Sequence, residues 1–302
     1  MSKGYHNPVM LCECIESLAI KNDGIYVDVT YGGGGHSKAI LDRLGKKGRL
    51  IAFDQDKDAF QNMMNDNRLT LIHSNFRNLK QELNNIGVSH INGLLADLGV
   101  SSHQFDEPSR GFSFRFDEAL DMRMDASKGL SASKWISKTS ESDMQQVFSQ
   151  YGEIRNAKTA ARNIAAYREE FSISTSGDLL KALGKCVPPK KEKQYLAQLF
   201  QSIRIAVNQE IESLKELLLS LGQLIKSEGR FVVLTYHSLE DRLVKHFLQS
   251  GNTEGTISKD LYGNTIGLEF MPLYRKAIGP TEQEIAMNPR ARSAKLRAGI
   301  RI

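Results

Sequence analysis

Asp28-Val29-Thr30-Tyr31-Gly32-Gly33-Gly34-Gly35-His36-Ser37 is the stretch on which the fold of this chain turns. Four consecutive glycines lie between a strand-like run, Ile25 to Thr30, and a short helix candidate, Ser37 to Leu44. Glycine lets a backbone turn through positive φ and approach a ligand closely. In an open α/β sheet, that first turn faces the ligand beyond the carboxyl ends of the strands. Two phosphate-binding patterns fail here. Ser37 stands where the third glycine of GxGxxG belongs, and Lys38-Ala39 does not give the Gly-Lys-Ser/Thr of a Walker loop.

Outward from this turn the chain alternates. Arg49 to Asp54, Leu69 to His73 and Ile91 to Asp97 read as buried strands, and Asp58 to Asn65 and Asn78 to Asn85 as the helices between them. Short apolar runs separated by helices predict βαβ units and a parallel sheet. The rhythm stops near Pro108. From there to Pro189 helix-start signals replace strands: Ser140 to Asp143 and Thr175 to Asp178 resemble capping boxes, and Arg155 to Glu170 is rich in helix formers. A long three-and-four spacing then runs from Leu196 to Ile225, with a break expected near Gly222 and an end at Gly229. Arg230 to Tyr236 resumes the sheet. The expected organisation is a discontinuous α/β domain, 1–107 with 195–302, around a helical insertion at 108–194.

Composition sets outer limits. With 302 residues, 40% hydrophobic and 25% charged, the chain is globular in type. Forty basic against 35 acidic side chains give +5 and a pI near 9.0, compatible with a nucleic-acid partner. Three cysteines, Cys12, Cys14 and Cys186, are too few for a disulfide scaffold and lack zinc-site spacing, so no metal is expected. With no signal-like N-terminus and no run of about 18 apolar residues, a cytoplasmic, membrane-free protein is expected. Nothing in the sequence decides between a monomer and a homo-oligomer.

Several residues stand where chemistry is expected. Asp54 ends the second strand, where an acid accepts hydrogen bonds from ribose hydroxyls. Asp97 ends the fourth strand near the switch point, suited to hold an amine of ligand or substrate. Phe76, after the third strand, is either core or an adenine contact. His237 and Ser238 follow the fifth strand, where Ser238 is either a helix cap or a substrate contact. No separated triad or Gly-x-Ser-x-Gly elbow supports a hydrolase. Basic residues form three patches: Arg110, Arg115 and Arg123 among Phe112, Phe114 and Phe116; Lys185, Lys190, Lys191 and Lys193; and Arg290, Arg292, Lys295, Arg297 and Arg301. Such side chains neutralise phosphates, and interleaved aromatics stack on unpaired bases.

The glycine turn without its third glycine, with an acid ending strand two, resembles class I S-adenosylmethionine methyltransferases. Further phrases narrow this: Tyr5 to Met10, Gly34 to Ser37, Asp97 to Ser102, Arg110 to Arg115, Leu120 to Asp125, Tyr151 to Glu153, Arg204 to Asn208, His237 to Arg242 and Asn288 to Arg297. Together they resemble the bacterial 16S rRNA (cytosine-N4)-methyltransferases of the RsmH/MraW type, nearly end to end. Glu118-Ala119 and Glu192 to Gln198 depart from that family's usual phrases. The resemblance implies a Rossmann-like methyltransferase sheet with an inserted all-helical domain, S-adenosylmethionine as cofactor, and the small ribosomal subunit as partner. Its cofactor positions fall on Gly34, Gly35, His36, Asp54, Phe76, Asp97 and Gln104. For catalysis, Asp97 and Ser101 are expected to orient the target amine and His237 to relay a proton. The alternatives are a methyltransferase acting on DNA or a small molecule, a nicotinamide oxidoreductase, and a non-catalytic ribosome-assembly factor.

Overall fold

A computed structural model describes residues 8–263 and 266–302. Tyr5, His6 and Asn7 of the first quoted phrase lie outside the described residues. The chain divides into two compact units, residues 1–99 with 211–302, and residues 100–210.

The first unit is built on the predicted sheet. After helix α1 (Leu11–Leu18) come β1 (Ile25–Asp28), α2 (Gly35–Arg43), β2 (Arg49–Asp54), β3 (Leu69–His73), α3 (Leu79–Asn85) and β4 (Ile91–Asp97). Strands β2, β3 and β4 match their expected bounds, because each is a continuous apolar run ended by a polar residue. The connection expected as a helix at Asp58 to Asn65 is instead a 3-10 segment, Lys57–Asn62. The Asp56 side chain caps it by accepting the Asp58 N–H, and it stops at Met63.

The second unit contains α4 (Ser102–Asp106), α5 (Ala132–Lys138), α6 (Glu141–Gln150), α7 (Ala157–Glu170), α8 (Ser176–Leu183) and α9 (Glu192–Asn208). Among its described residues no strand forms, only one isolated bridge between Ala119 and Thr175. Ser140 caps α6 through the Asp143 N–H, and Thr175 and Asp178 form a reciprocal capping box on α8. The core joins Met144, Phe148, Ala160, Ala161, Ile164, Leu199 and Ile203, all fully buried. Its boundaries correct the expected 108–194. Tyr195, Leu196, Leu199, Phe200 and Ile203 of α9 pack into this core, which keeps the whole helix in the second unit.

The long apolar pattern breaks at Gln209, in the left-handed region at φ 51°, and not near Gly222, which lies inside α10 (Glu210–Leu224). The helix thus stops at Leu224 and β5 (Ile225–Thr235) begins well before Arg230. Then follow α11 (Ser238–Ser250), β6 (Phe270–Pro272), α12 (Glu282–Met287) and β7 (Lys295–Arg301). The seven strands run in the order β3-β2-β1-β4-β5-β7-β6, the first five parallel and β7 antiparallel to both of its neighbours, β5 and β6. The order reverses between β1 and β4, which places the ligand crevice at their carboxyl ends. Among the described residues, no helix is long and apolar enough to cross a membrane.

Candidate active site

Asp28, Asp54 and Asp97 end β1, β2 and β4. The glycine turn leaves β1 beside them. Gly32 and Gly34 have φ of 50° and 76°, and the Gly34 N–H returns to the Tyr31 carbonyl at 2.7 Å. A Cβ on Gly34 would lie 2.8 Å from the Tyr31 hydroxyl, and one on Gly35 would lie 2.9 Å from Pro8. Bare backbone is therefore required at both positions. Asp54 Oδ2 accepts the Gly32 N–H at 2.7 Å and Oδ1 accepts the Asp56 N–H at 2.8 Å, so this acid also pins the turn.

Asp28 was not singled out in the sequence, yet it lies under the site. It accepts the Ser37 hydroxyl at 2.6 Å and the Thr30 N–H at 3.1 Å. The Thr30 hydroxyl in turn accepts the Asp97 N–H at 2.7 Å. Tyr236, equally unforeseen, donates its hydroxyl to Asp97 Oδ1 at 2.6 Å. His36 is buried, with Nε2 3.0 Å from the Val9 carbonyl and Nδ1 3.7 Å from Asp97 Oδ2. Because a carbonyl only accepts, Nε2 carries a hydrogen. The signal for both missed residues was position alone: each sits at the carboxyl end of a central strand.

The electrostatics are unbalanced. Burial pushes the carboxyls of Asp28 and Asp97 up, and pushes Asp54 up to about 6. The Asp28 charge raises the other two further, while His36 draws Asp28 and Asp97 back. Burial and the Asp97 carboxylate hold the Tyr236 phenol well above its usual range. Buried charges are ordinarily paired. A crevice with three acids and one histidine fits a ligand that brings positive charge and hydroxyl donors. S-adenosylmethionine, with its sulfonium, ammonium and ribose hydroxyls, has that chemistry.

The remaining expected residues fall as follows. Phe76 is half-buried at the start of a 3-10 turn capped by Asn75, just past β3. His237, not Ser238, caps α11. Its Nε2 lies 3.1 Å from Glu240 Oε1, and the other oxygen of this buried glutamate accepts the Tyr236 N–H at 2.9 Å. Ser101 and Gln104, in the second unit, close a reciprocal capping box on α4.

Two of the basic patches are partly engaged within the protein. Lys295 and Arg297 of β7 bind Asp241, and Arg301 binds Glu269. Arg110 donates to the carbonyls of Arg123 and Met124, and Arg123 forms a two-point pair with Asp121. Phe112 is core and Phe114 stacks edge-on against Phe200, leaving Arg115 and Phe116 exposed. Lys185, Lys190, Lys191 and Lys193 are all exposed.

Comparison with known proteins adds a name to this geometry. The family model described as the MraW methylase family matches residues 3–302. The ribosomal RNA small subunit methyltransferase H of Flavobacterium johnsoniae is 51% identical over 298 residues, 99% of this chain and 98% of that one. Its namesake from Parabacteroides distasonis is 50% identical over 294 residues, covering 97% and 96%. A solved putative rRNA-methylase from Clostridium thermocellum aligns over 96% of this chain and 94% of its own at 14% identity, with a TM-score of 0.45, too loose a superposition to bear on the site.

Proposed function

This chain belongs to the MraW methylase family, and from that premise we propose that it methylates N4 of a cytosine in the decoding centre of 16S rRNA. It is an S-adenosylmethionine-dependent methyltransferase. The observation that carries the RNA reading is the end-to-end match to relatives named as small-subunit rRNA methyltransferases. A cytoplasmic location, with the small subunit as partner, belongs to the same reading.

When bound, S-adenosylmethionine supplies an activated methyl group. The chain's own residues bind and orient. Asp54 takes the ribose hydroxyls, Asp97 the ammonium, Phe76 an adenine face, and Gly34 and Gly35 leave room at the turn. The N-terminal turn of α2 offers backbone N–H groups to a carboxylate. The cofactor role of Gln104 is what the resemblance implies, and the catalytic role of Ser101 is read from its place in the loop that follows β4.

The chemistry favours an amine over a ring carbon. Methylating pyrimidine carbon-5 calls for a thiolate nucleophile. Burial pushes the Cys14 and Cys186 thiols up, away from that state, and Cys12 is exposed on α1. Cytosine N4 instead needs alignment and a place for its proton, because its lone pair is shared with the ring. Alignment of reacting atoms supplies several kcal/mol of such a barrier, up to roughly 7–11 in well-oriented cases. The Asp97–Ser102 segment orients N4, and His237 relays the proton by giving up its Nδ1 cap of the Glu240 N–H. If His237→Ala transferred methyl groups normally at saturating cofactor, that role would be wrong. The target base must leave its stack to be reached. The helical unit, with its exposed lysines, holds the surrounding RNA.

The test is incubation with methyl-labelled S-adenosylmethionine and small subunits lacking N4-methylcytosine, followed by digestion of the RNA. Label in N4-methylcytidine supports the reading. Label in another nucleoside, or none in subunits that a known enzyme modifies, refutes it.

A further inference from the structure

Asp97 has one fixed partner on each side of its own strand. On one side the Thr30 hydroxyl after β1 accepts its backbone N–H; on the other the Tyr236 hydroxyl after β5 donates to Oδ1 at 2.6 Å. β4 lies between β1 and β5 in the sheet, so three adjacent strand ends converge on one residue, Asp97. His36 approaches the second oxygen, Oδ2, only to 3.7 Å. Oδ1 is thus committed to a donor, and Oδ2 is the oxygen left to a ligand.

We infer that Tyr236 is a positioning residue of this methyltransferase: its hydroxyl holds Asp97 ionised and directs Oδ2 toward the cofactor's ammonium. This rests on the reading that Asp97 binds that ammonium. The physical reason is that, among the described residues, Tyr236 is the neutral side-chain donor to the carboxylate in a crevice rich in acids. Asp28 on β1 and Glu240 on α11 oppose a charge on Asp97, while the His36 ring on α2 and the Tyr236 hydroxyl favour it. Cys14 on α1 and Glu240 likewise face the phenol. With its own ionisation driven far up by burial, Tyr236 stays a donor at every working pH. A phenylalanine keeps the ring packing and removes the donor alone.

The sign follows directly. Without the hydroxyl, Asp97 protonates at higher pH, so the acid limb of cofactor affinity moves upward. A hydrogen bond to a charged group corresponds to a factor of about 10 or more in affinity. The experiment is calorimetric titration of S-adenosylmethionine from pH 5 to 9 into the wild type, Tyr236→Phe and Asp97→Asn. Tyr236→Phe should bind about tenfold more weakly near neutrality, with the gap closing as pH rises. Limbs due to Asp54 and Asp28 are common to wild type and Tyr236→Phe. A merely structural tyrosine would give a constant offset, or none, and either result overturns the proposal. Placing 3-fluorotyrosine at 236 is the converse variant and preserves the packing. Its stronger donor should move the limb to lower pH, and an unmoved or raised limb counts against the tyrosine. If Asp97→Asn binds like the wild type, the reading of Asp97 fails first. Loss in Asp97→Asn with an unchanged Tyr236→Phe overturns the tyrosine's part alone.

Discussion

The acids at the carboxyl ends of the first unit's central strands are treated in the opposite way to the half-buried acid of the second unit. In the second unit, Asp121 meets Arg123 in a two-point pair that, with the Arg123 N–H, holds its carboxyl below the usual range against the cost of burial. In the first unit, Asp54 has backbone N–H donors but no cation, and burial takes it up to about 6. Asp28 and Asp97 are raised likewise. One unit closes its own charge account; the other leaves a deficit at the carboxyl edge of its sheet. Stability alone gives no reason to keep three such acids together, and perturbed groups of this kind cluster where ligands bind. The comparison teaches that the arginines which looked like RNA contacts in the sequence are partly scaffold, while the acids expected at the strand ends are the groups left without a matching cation.

The largest way to separate the regions is to damage the helical core. Phe148 is fully buried there, and Phe148→Ala should cost about 3–5 kcal/mol of stability. Denaturant unfolding measures this, and the affinity of the still-folded protein for S-adenosylmethionine should stay unchanged.

Next comes pH. The folded carboxyl of Asp54 titrates near 6, above its unfolded value. Its contribution to ligand-free stability is therefore fully present below the unfolded pKa and is lost as pH rises through about 6. Cofactor hydroxyls need the ionised form, so binding moves the other way and weakens by up to about tenfold per pH unit below that point. Asp54→Asn should remove the part of the limb centred there; an unchanged profile would break the assignment.

Gly34→Ala probes the turn itself. With φ 76° and Tyr31 in the way, it should destabilise by about 1–3 kcal/mol and weaken cofactor binding. Gly87, at φ 71° with open space around it, is the control: its alanine should lose stability through backbone strain and leave binding alone.

The smallest effect per residue is electrostatic. Each of Lys185, Lys190, Lys191 and Lys193 changed to Ala should lower the slope of log affinity for the small subunit against log salt by about 0.7–0.9. Unaltered salt dependence in the fourfold variant would remove this surface from the RNA interface.

How much of this was legible follows from what each segment's sequence expresses. β2 and β4 were plain because burial on both faces leaves apolar runs with sharp ends, and edge strand β3 by its β-branched and apolar residues. The break at Gln209 was not, because a glutamine in the left-handed region has no sequence mark and is set by tertiary packing. Strand β7 was hidden behind charge. Leu296, Ala298 and Ile300 alternate with Lys295, Arg297 and Arg301, a period of two that the basic reading obscured. At the site, the glycine turn, Asp54 and Asp97 announced themselves by position. Tyr236 and Asp28 shared that position but not the chemistry that marks a ligand, because their role lies in hydrogen bonds, Tyr236 to a neighbouring strand and Asp28 to the turn that follows it.

The central claim is that the unpaired acids at the sheet edge are the cofactor site, tolerated at some expense to stability. One variant tests both halves. Asp97→Asn should bind S-adenosylmethionine about a hundredfold more weakly by calorimetry, as expected for removing one partner of a buried charge pair, while the ligand-free protein melts no lower than the wild type. Unchanged affinity, or affinity and melting temperature falling together, would contradict it.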